Sequence, residues 1–324
     1  MTGITLPGTD IRTTRLGFGC ARLFRLSSSQ QRQRVLNAAF DSGIRHFDVA
    51  RMYGMGAAEK ELGQFTKGKR DQVIIATKFG IEPNASGRTV AKMQQVARAA
   101  IRTVPALRRV FRRQTNRLYH PRCYSPEFAA RSLDISLREL NTDYVDILVL
   151  HEPTLEDLSN TEIIPWLQAA KSAGKIRAYG ISGEFDDLVA IDSRFPELSA
   201  IVQLPCDVLN RNMERLKPRS TQAVVTFSAL SRALDILRNV LHCSTQANMT
   251  WTSEFGAESL SDNWMVSALL HYCLNTNPNG VVLFSSTKEH QINNTCAVFM
   301  DSFETARFAA TVSNIFAGNK CGVA

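Results

Sequence analysis

The stretch YVDILVLH, residues 144–151, contains the strand pattern that decides the fold. Its first seven residues are apolar on both faces apart from Asp146, whereas a half-exposed strand would alternate apolar and polar positions. Strands of parallel sheets have this continuous apolar pattern because helices cover both faces of the sheet. This stretch therefore predicts a parallel sheet enclosed by helices.

Similar strand patterns recur along the chain and alternate with stretches of helical period. The eight predicted strands cover residues 16–20, 44–48, 73–78, 144–150, 176–181, 200–204, 223–227 and 281–284. Such alternation predicts βα units with parallel strands, and eight units favour a closed (β/α)8 TIM barrel. The alternative is an open doubly wound sheet, which normally has G-x-G-x-x-G after its first strand. The glycine pairs at 17/19 and 54/56 do not continue to a third glycine.

The signals for helix ends agree with this arrangement. Ser28 or Ser29 is placed to cap a helix over 28–42, and Ser125 followed by Pro126 predicts the start of another. The predicted helices cover residues 28–42, 57–65, 125–140, 162–173 and 263–275, with a final helix from about residue 288. We interpret the chain as one barrel domain over residues 1–324.

Residues 81–125 form a basic segment between the third strand and the third helix. They contain ten Arg and Lys residues and one acid, a net charge of +9 in a chain whose total is +8. Apolar stripes over 93–104 and 107–111 predict two short amphipathic helices inserted in a βα loop, and such loops lie on the catalytic face of a barrel. The segment would favour an acidic, phosphorylated or polyhydroxylated substrate. An oligomer contact, a helix on a membrane surface and a solvated basic face are the alternatives.

Other features argue against several classes of function. No apolar run approaches 18 residues, so we expect no membrane span, and the scattered cysteines lack a C-x-x-C pair, which favours a reduced, cytoplasmic compartment. The basic segment is poor in aromatic residues for base stacking, so we expect no nucleic-acid partner. The histidines are dispersed, so we expect no metal site, and G-x-S-x-G and Walker motifs are missing from the sequence.

Four reactive side chains follow the ends of predicted strands, where the loops of a barrel form its catalytic mouth. They are Asp48, Tyr53, Lys78 and His151. A phenol with a pKa of about 10 transfers protons poorly near neutral pH, and the Lys78 ammonium is expected to lower the pKa of Tyr53. Asp48 is placed to pair with Lys78, and His151 to orient a substrate oxygen by a hydrogen bond. This set predicts proton transfer by Tyr53 to a carbonyl; a Schiff-base role for Lys78 is the rival hypothesis.

The sequence resembles the aldo-keto reductase family. The match consists of DSGIRHFD at 41–48, Tyr53-Gly54, Glu59 and Leu62-Gly63, which together are similar to the first signature of that family. The resemblance continues to about residue 300, with Thr77-Lys78 and Leu150-His151 at the two other catalytic places. It implies a catalytic tetrad of Asp48, Tyr53, Lys78 and His151.

The resemblance also implies what the enzyme would act upon. Members transfer hydride between NADP, or alternatively NAD, and a small carbonyl or alcohol substrate such as an aldehyde, a ketone or a sugar. The cofactor lies extended across the carboxyl-end rim without a Rossmann motif. A nicotinamide-binding regulatory protein without catalysis is the alternative on the same fold.

Cofactor contacts can be transferred from the family position by position. Ser182 and Gln203 are implied at the nicotinamide, Phe227 stacks on its ring in place of a common Tyr, and Ser228 and Leu230 form the pyrophosphate turn. At the adenosine end the implied contacts are Ser285, Ser286 and Lys288 to a 2′-phosphate and Asn294 to adenine. Helix N-termini favour such phosphates because their N–H groups are free. Three positions depart from the family pattern: Gly183 for Asn, Ala229 for Pro and Asn293 for Glu.

Overall fold

The computed structural model describes residues 3–84, 119–159, 162–297 and 303–318. Eight parallel strands form a closed barrel in the order β10-β3-β4-β5-β6-β7-β8-β9. The strands are β1 (Gly3–Thr5), β2 (Arg12–Thr14), β3 (Leu16–Gly19), β4 (His46–Asp48), β5 (Ile74–Phe79), β6 (Val145–His151), β7 (Ile176–Ser182), β8 (Ile201–Pro205), β9 (Ala223–Phe227) and β10 (Val281–Phe284). The predicted (β/α)8 barrel is confirmed, and the open sheet is ruled out because β10 pairs with β3.

Helices follow the barrel strands and cover their outer face. Their bounds are α1 (Ser29–Asp41), α2 (Ala58–Thr66), α3 (Pro126–Leu140), α4 (Leu155–Leu158), α5 (Ile163–Ser172), α6 (Phe185–Arg194), α7 (Asn212–Arg215), α8 (Ser231–Cys243), α9 (Thr245–Phe255), α10 (Asp262–Thr276), α11 (Glu289–Ala297) and α12 (Thr305–Gly318). Ser28 caps α1 by accepting from Gln31 N, and Ser125 caps α3 by accepting from Phe128 N. Both caps lie where the sequence predicts them.

Several parts of the chain differ from the sequence prediction or lie beyond what can be compared. The helices α4, α6, α7, α8 and α9 are covered by no predicted helix. The antiparallel hairpin β1–β2 was not predicted, since three-residue strands give almost no periodic signal. The predicted final helix from about residue 288 is two helices, α11 and α12. Residues 85–118, which include most of the predicted basic insertion, lie outside the described residues, so the two helices expected there remain a prediction.

The described residues pack into two apolar layers separated by the barrel wall. In β6, Ile147 and Val149 belong to the cluster inside the barrel, whereas Leu148 and Leu150 belong to the cluster between the strands and the helices. Both faces of β6 are therefore buried, which is the physical reason for its continuous apolar pattern. The turn of the β1–β2 hairpin adds Leu6 to the interior cluster.

The alternation of side chains along the strands also places polar groups inside the barrel. In β5, Ile74 and Ala76 face the interior cluster, so Lys78 continues the inward row at the carboxyl end of the strand. Asp48 ends β4 and is buried there, with its backbone opposite that of Gly19 in β3. The barrel thus presents a buried acid and a buried lysine at one rim.

A close helix contact explains one glycine of the quoted signature. A Cβ atom at Gly63 in α2 would lie 2.5 Å from the carbonyl oxygen of Glu139 in α3. Real Cβ atoms do not approach backbone that closely, so only glycine allows this packing without displacement of α3. Within the described ranges, no helix is long and apolar enough to cross a membrane.

Candidate active site

A cleft of about 1110 Å³ opens at the carboxyl ends of the barrel strands. Its lining includes all four side chains that the sequence predicts to be catalytic: Asp48, Tyr53, Lys78 and His151. Strand register brings further polar groups to the same level, because His151 pairs with Ser182 and Ser182 with Gln203 across three adjacent strands. The fold therefore brings the predicted residues together in one cavity.

Lys78 and Asp48 form a buried ion pair at the base of the cleft. Lys78 Nζ donates to both oxygens of Asp48, at 2.5 and 2.6 Å, and to the carbonyl of Val49 at 3.2 Å. Gln203 Nε2 donates to Asp48 Oδ2 at 3.0 Å, which satisfies the carboxylate further. Burial alone would lower the pKa of Lys78, which is 1% exposed, but the charge of Asp48 and its hydrogen bond to Nζ raise the pKa above its ordinary value. Lys78 is therefore an ammonium at neutral pH.

Tyr53 lies over this pair in a tight turn between β4 and α2. Its N–H donates to the Ala50 carbonyl at 3.0 Å, and the two residues after it, Gly54 and Met55, have φ of 60° and 56°. At Gly54 a Cβ atom would also collide with the ring of Phe24 at 2.5 Å, so the turn requires glycine there. Lys78 Nζ lies 5.3 Å from the centre of the Tyr53 ring.

The predicted lowering of the Tyr53 pKa is not what the structure gives. Burial raises the pKa of Tyr53, the Lys78 ammonium lowers it by less than burial raises it, and Asp48 raises it by a smaller amount. Lys78 acts in the predicted direction, but desolvation of the phenolate outweighs it. In this state of the cleft Tyr53 is a neutral phenol, which can donate a proton.

His151 stands beside Tyr53 as a neutral imidazole. The two rings are 6.0 Å apart and nearly perpendicular, at 85°. Tyr124 anchors the backbone here, since its hydroxyl donates to the His151 carbonyl at 2.6 Å. Burial and the charges of Lys78 and Arg122 lower the pKa of His151 to about 3. Its buried Nδ1 has no hydrogen-bond partner among the described residues.

A pH dependence of stability follows from the buried histidines. Burial lowers the pKa of His46, inside the barrel, to about 3, as it does for His151, whereas an exposed histidine has a pKa of about 6.5. Between these values the unfolded chain binds more protons than the folded one. The contribution of the two histidines to the free energy of unfolding is therefore fully present above about pH 6.5 and is lost as the pH drops towards 3. We expect a loss of up to about 1.4 kcal/mol per pH unit for each histidine.

Denaturation midpoints at pH 7.5 and 5.0 measure this loss. The variant His46→Asn should lose about half of the pH dependence, because one of the two buried histidines is gone. Equal midpoints at the two pH values would contradict the expectation. So would a difference between the two midpoints that is as large in the variant as in the wild type.

Eight of the nine predicted cofactor positions line the cleft. They are Ser182, Gln203, Phe227, Ser228, Leu230, Ser285, Ser286 and Asn294. Lys288 is the exception: it is exposed and does not line the cleft, although its N–H donates to Ser286 Oγ at 3.1 Å. Ser285 Oγ donates to the Gly19 carbonyl at 2.7 Å, which joins the first and last barrel strands at the rim.

Several residues of the lining were missed by the sequence reasoning. Arg238 in α8 lines the cleft and contacts Asp262, the first residue of α10, at 2.5 Å. Arg22 and Arg25, in the short helix after β3, line it as well. The amphipathic pattern of the sequence over α8 could have predicted this helix, whereas the contact of Arg238 with Asp262 depends on the packing of α8 against α10.

Over the ranges that the structure describes, no group of three or more His, Cys, Asp or Glu side chains could hold a metal ion.

Comparison with known families agrees with the barrel. The Aldo/keto reductase family model matches residues 15–313, nearly the whole chain. The protein belongs to the aldo/keto reductase family.

Individual relatives match shorter stretches of the chain than the family model does. The chain is 30% identical over 195 residues to D-threo-aldose 1-dehydrogenase of a Pseudomonas species, covering 58% of this chain and 55% of the relative. It is 29% identical over 172 residues to an aldo-keto reductase of Schizosaccharomyces pombe whose name specifies NADP(+), covering 52% and 42%. The matched stretches therefore span about half of the length of these relatives.

Solved structures show the same fold at low sequence identity. The holo form of an aldo-keto reductase from Bacillus halodurans superposes with a TM-score of 0.69 at 20% identity, covering 97% of this chain and 96% of that one. The likeness extends over the complete barrel, and at this identity it establishes the fold alone.

Proposed function

We propose that the protein is an NAD(P)(H)-dependent oxidoreductase that transfers hydride between nicotinamide and a small carbonyl or alcohol substrate. The observation that carries the proposal is the Lys78–Asp48 ion pair beneath Tyr53, in the cleft that His151 also lines. A neutral phenol, a buried ammonium and a neutral imidazole in one cavity are the groups needed to protonate a carbonyl oxygen. An aldehyde, a ketone or a sugar is the substrate class, and the name of the Pseudomonas relative supports an aldose.

The residues present fit a nicotinamide cofactor. At about 1110 Å³ the cleft exceeds the usual volume for drug-sized ligands, so it has room for a dinucleotide and a small substrate. Ser182 and Gln203 would hold the carboxamide end, Phe227 would stack on the ring, and Ser228 would receive the pyrophosphate at a residue whose φ is 64°. Ser285, Ser286 and Asn294 would hold the adenosine end. When bound, the nicotinamide supplies or accepts the hydride.

The chain's own residues would act on the substrate oxygen. Tyr53 holds the proton on its Oη and transfers it to the carbonyl oxygen as hydride arrives at carbon. Lys78 remains charged because Asp48 pairs with it, and its ammonium stabilises the phenolate that the transfer leaves behind. His151 is neutral, so one ring nitrogen can donate to the substrate oxygen and hold it near Tyr53.

The rival Schiff-base reaction at Lys78 is disfavoured by the same geometry. A lysine attacks a carbonyl only as a neutral amine, whereas Asp48 raises the pKa of Lys78 and keeps it charged. Both oxygens of Asp48 accept from Nζ, so the nitrogen is committed to the ion pair.

A direct experiment tests the proposal. The purified protein is titrated with NADPH and NADH by fluorescence quenching and then assayed for absorbance change at 340 nm with a panel of aldehydes, ketones and sugars. We expect both binding and turnover. Binding with no turnover across the panel would instead favour a regulatory nicotinamide-binding protein, and no binding would contradict the proposal.

The preference for NADP over NAD is part of the proposal, supported by the serines at the adenosine end and by the name of the S. pombe relative. Ser286 Oγ accepts from Lys288 N–H and donates to Gln291 Oε1 at 2.9 Å, so its single proton would turn from Gln291 to a phosphate oxygen when NADPH binds. A hydrogen bond to a charged phosphate is worth about 1.5–3 kcal/mol, so Ser286→Ala should weaken NADPH binding by about 10-fold to 100-fold. Binding of NADH, which lacks the 2′-phosphate, is the internal control. Equal losses for both cofactors would contradict a phosphate contact at Ser286.

Three further parts of the proposal concern the whole protein. We propose one barrel domain over 1–324, a small-molecule substrate without a nucleic-acid partner, and a cytoplasmic location. The scattered cysteines, which lack a C-x-x-C pair in the sequence, support the proposed reducing compartment.

A further inference from the structure

A buried charged network lies directly behind the Tyr53 turn, on the outer side of the barrel wall. Its centre is Glu59 in α2, whose side chain is 0% exposed. Glu59 Oε2 accepts from Arg51 Nη1 at 2.5 Å, and Glu59 Oε1 accepts from Thr77 Oγ1 at 2.7 Å. Arg51 Nε also lies 3.6 Å from Glu82 Oε1. One carboxylate thus joins the turn that holds Tyr53, helix α2 and strand β5.

Two residues of this network are close in sequence to the proposed catalytic residues. Arg51 lies two residues before Tyr53, and Thr77 lies immediately before Lys78. Because strand side chains alternate, Thr77 points outward to Glu59 while Lys78 points into the barrel. The Arg51 N–H also donates to the Lys78 carbonyl at 3.4 Å, so the turn and the strand are joined twice.

The Tyr53 turn needs such a constraint. Gly54 and Met55 are consecutive left-handed residues, and a turn of this kind does not hold its shape by local bonding alone. A buried ion pair often adds little to the stability of a fold, since well-packed apolar residues in its place are often equally stabilising. Its value here is directional, because the hydrogen bonds of Glu59 set where the turn lies relative to β5.

We propose that Glu59 is a positioning residue, which holds the phenol of Tyr53 in register with the ammonium of Lys78 through its bonds to Arg51 and Thr77. This inference rests on the proposed reductase function for its catalytic consequence, but the geometry it describes is independent of turnover. A displacement of about 1 Å at reacting groups can cost about 100-fold in rate.

Two variants separate positioning from folding. Thr77→Val keeps the size of the side chain and removes only the bond from β5 to Glu59; Glu59→Gln removes the charge. The matched control is Asp146→Asn, since Asp146 is also a buried carboxylate with both oxygens bonded, to Arg70 at 2.8 Å and Arg177 at 2.7 Å, but lies at the opposite end of β6 from His151. Stability is followed by denaturation midpoints in all three.

Two readouts are taken on the full chain. The first is kcat with a carbonyl substrate, together with the Kd of NADPH. The second needs no turnover: the 19F resonance of Tyr53 in protein labelled with 3-fluorotyrosine, assigned from its loss in Tyr53→Phe. We expect Thr77→Val and Glu59→Gln to lower kcat by 10-fold to 100-fold, to leave the Kd within about twofold, and to shift the Tyr53 resonance. Asp146→Asn should change only the midpoint.

The outcomes separate this inference from the proposed function. An unchanged kcat and an unchanged Tyr53 resonance in Thr77→Val would overturn the positioning role and leave the network as a stabilising element alone. A wild-type protein without turnover, whose Tyr53 resonance still responds to Thr77→Val, would support the positioning of Tyr53 while the proposed function fails.

Discussion

Replacement of Tyr53 by Phe is expected to lower kcat for carbonyl reduction by about 100-fold to 10,000-fold, the range typical of a lost general acid. The ring, its packing and the Lys78–Asp48 pair below it remain, so the variant removes the transferable proton and little else. The neutral state of Tyr53 strengthens the expectation, since burial raises its pKa and keeps the proton on the oxygen until the substrate receives it. Steady-state kinetics at saturating cofactor measure the loss.

A matched control distinguishes this effect from a general loss of a phenol. Tyr179 lies in β7, outside the residues that line the cleft, and Tyr179→Phe should retain full kcat. The affinity of Tyr53→Phe for NADPH should remain within about twofold of the wild type. A Tyr53→Phe enzyme with wild-type kcat would refute the assigned role of Tyr53.

Replacement of Lys78 by Met is expected to destabilise the fold by about 3–5 kcal/mol as well as to abolish turnover. The reason is that Asp48 would remain as a buried carboxylate without its cation, and Gln203 offers it a single bond at 3.0 Å. Removal of one partner from a buried ion pair is far more costly than removal of both. A large shift of the denaturation midpoint should therefore accompany the loss of kcat.

The double variant Asp48→Asn/Lys78→Met is the decisive comparison. Both charges are then gone, so most of the lost stability should return, while activity should not, because Tyr53 has lost its ammonium. A single variant as stable as the wild type would show that the pair is not desolvated as the structure describes. Recovery of activity in the double variant would show that the charge of Lys78 is not needed.

Much of the fold follows from local pattern. The continuous apolar run of β6 records burial on both faces, and the caps at Ser28 and Ser125 mark helix starts that the structure reproduces within one residue. The hairpin β1–β2 was not predicted because three-residue strands have too few positions to show a period. The contact of Arg238 with Asp262 was not predicted because it joins residues of two different helices. Residues 85–118 lie outside the described residues, so the role of the basic segment remains a hypothesis.

Part of the candidate site could also be predicted from the sequence, and part could not. Strand ends predicted that Asp48, Tyr53, Lys78 and His151 would meet, since parallel strands of a barrel end at one rim. The spacing could not show the sign of the Tyr53 pKa shift, which depends on how desolvation compares with the nearby ammonium. Nor could it show that Lys288 would remain outside the cleft.

The sequence by itself determined the barrel, the order of its eight strands, and the identity of the groups at its rim, because periodicity and strand ends are local properties of the chain. Only the tertiary structure decided how those groups behave. The burial of Lys78 against Asp48, the neutral state of Tyr53 and His151, and the bonds of Glu59 to Arg51 and Thr77 all depend on distances and desolvation between segments far apart in sequence.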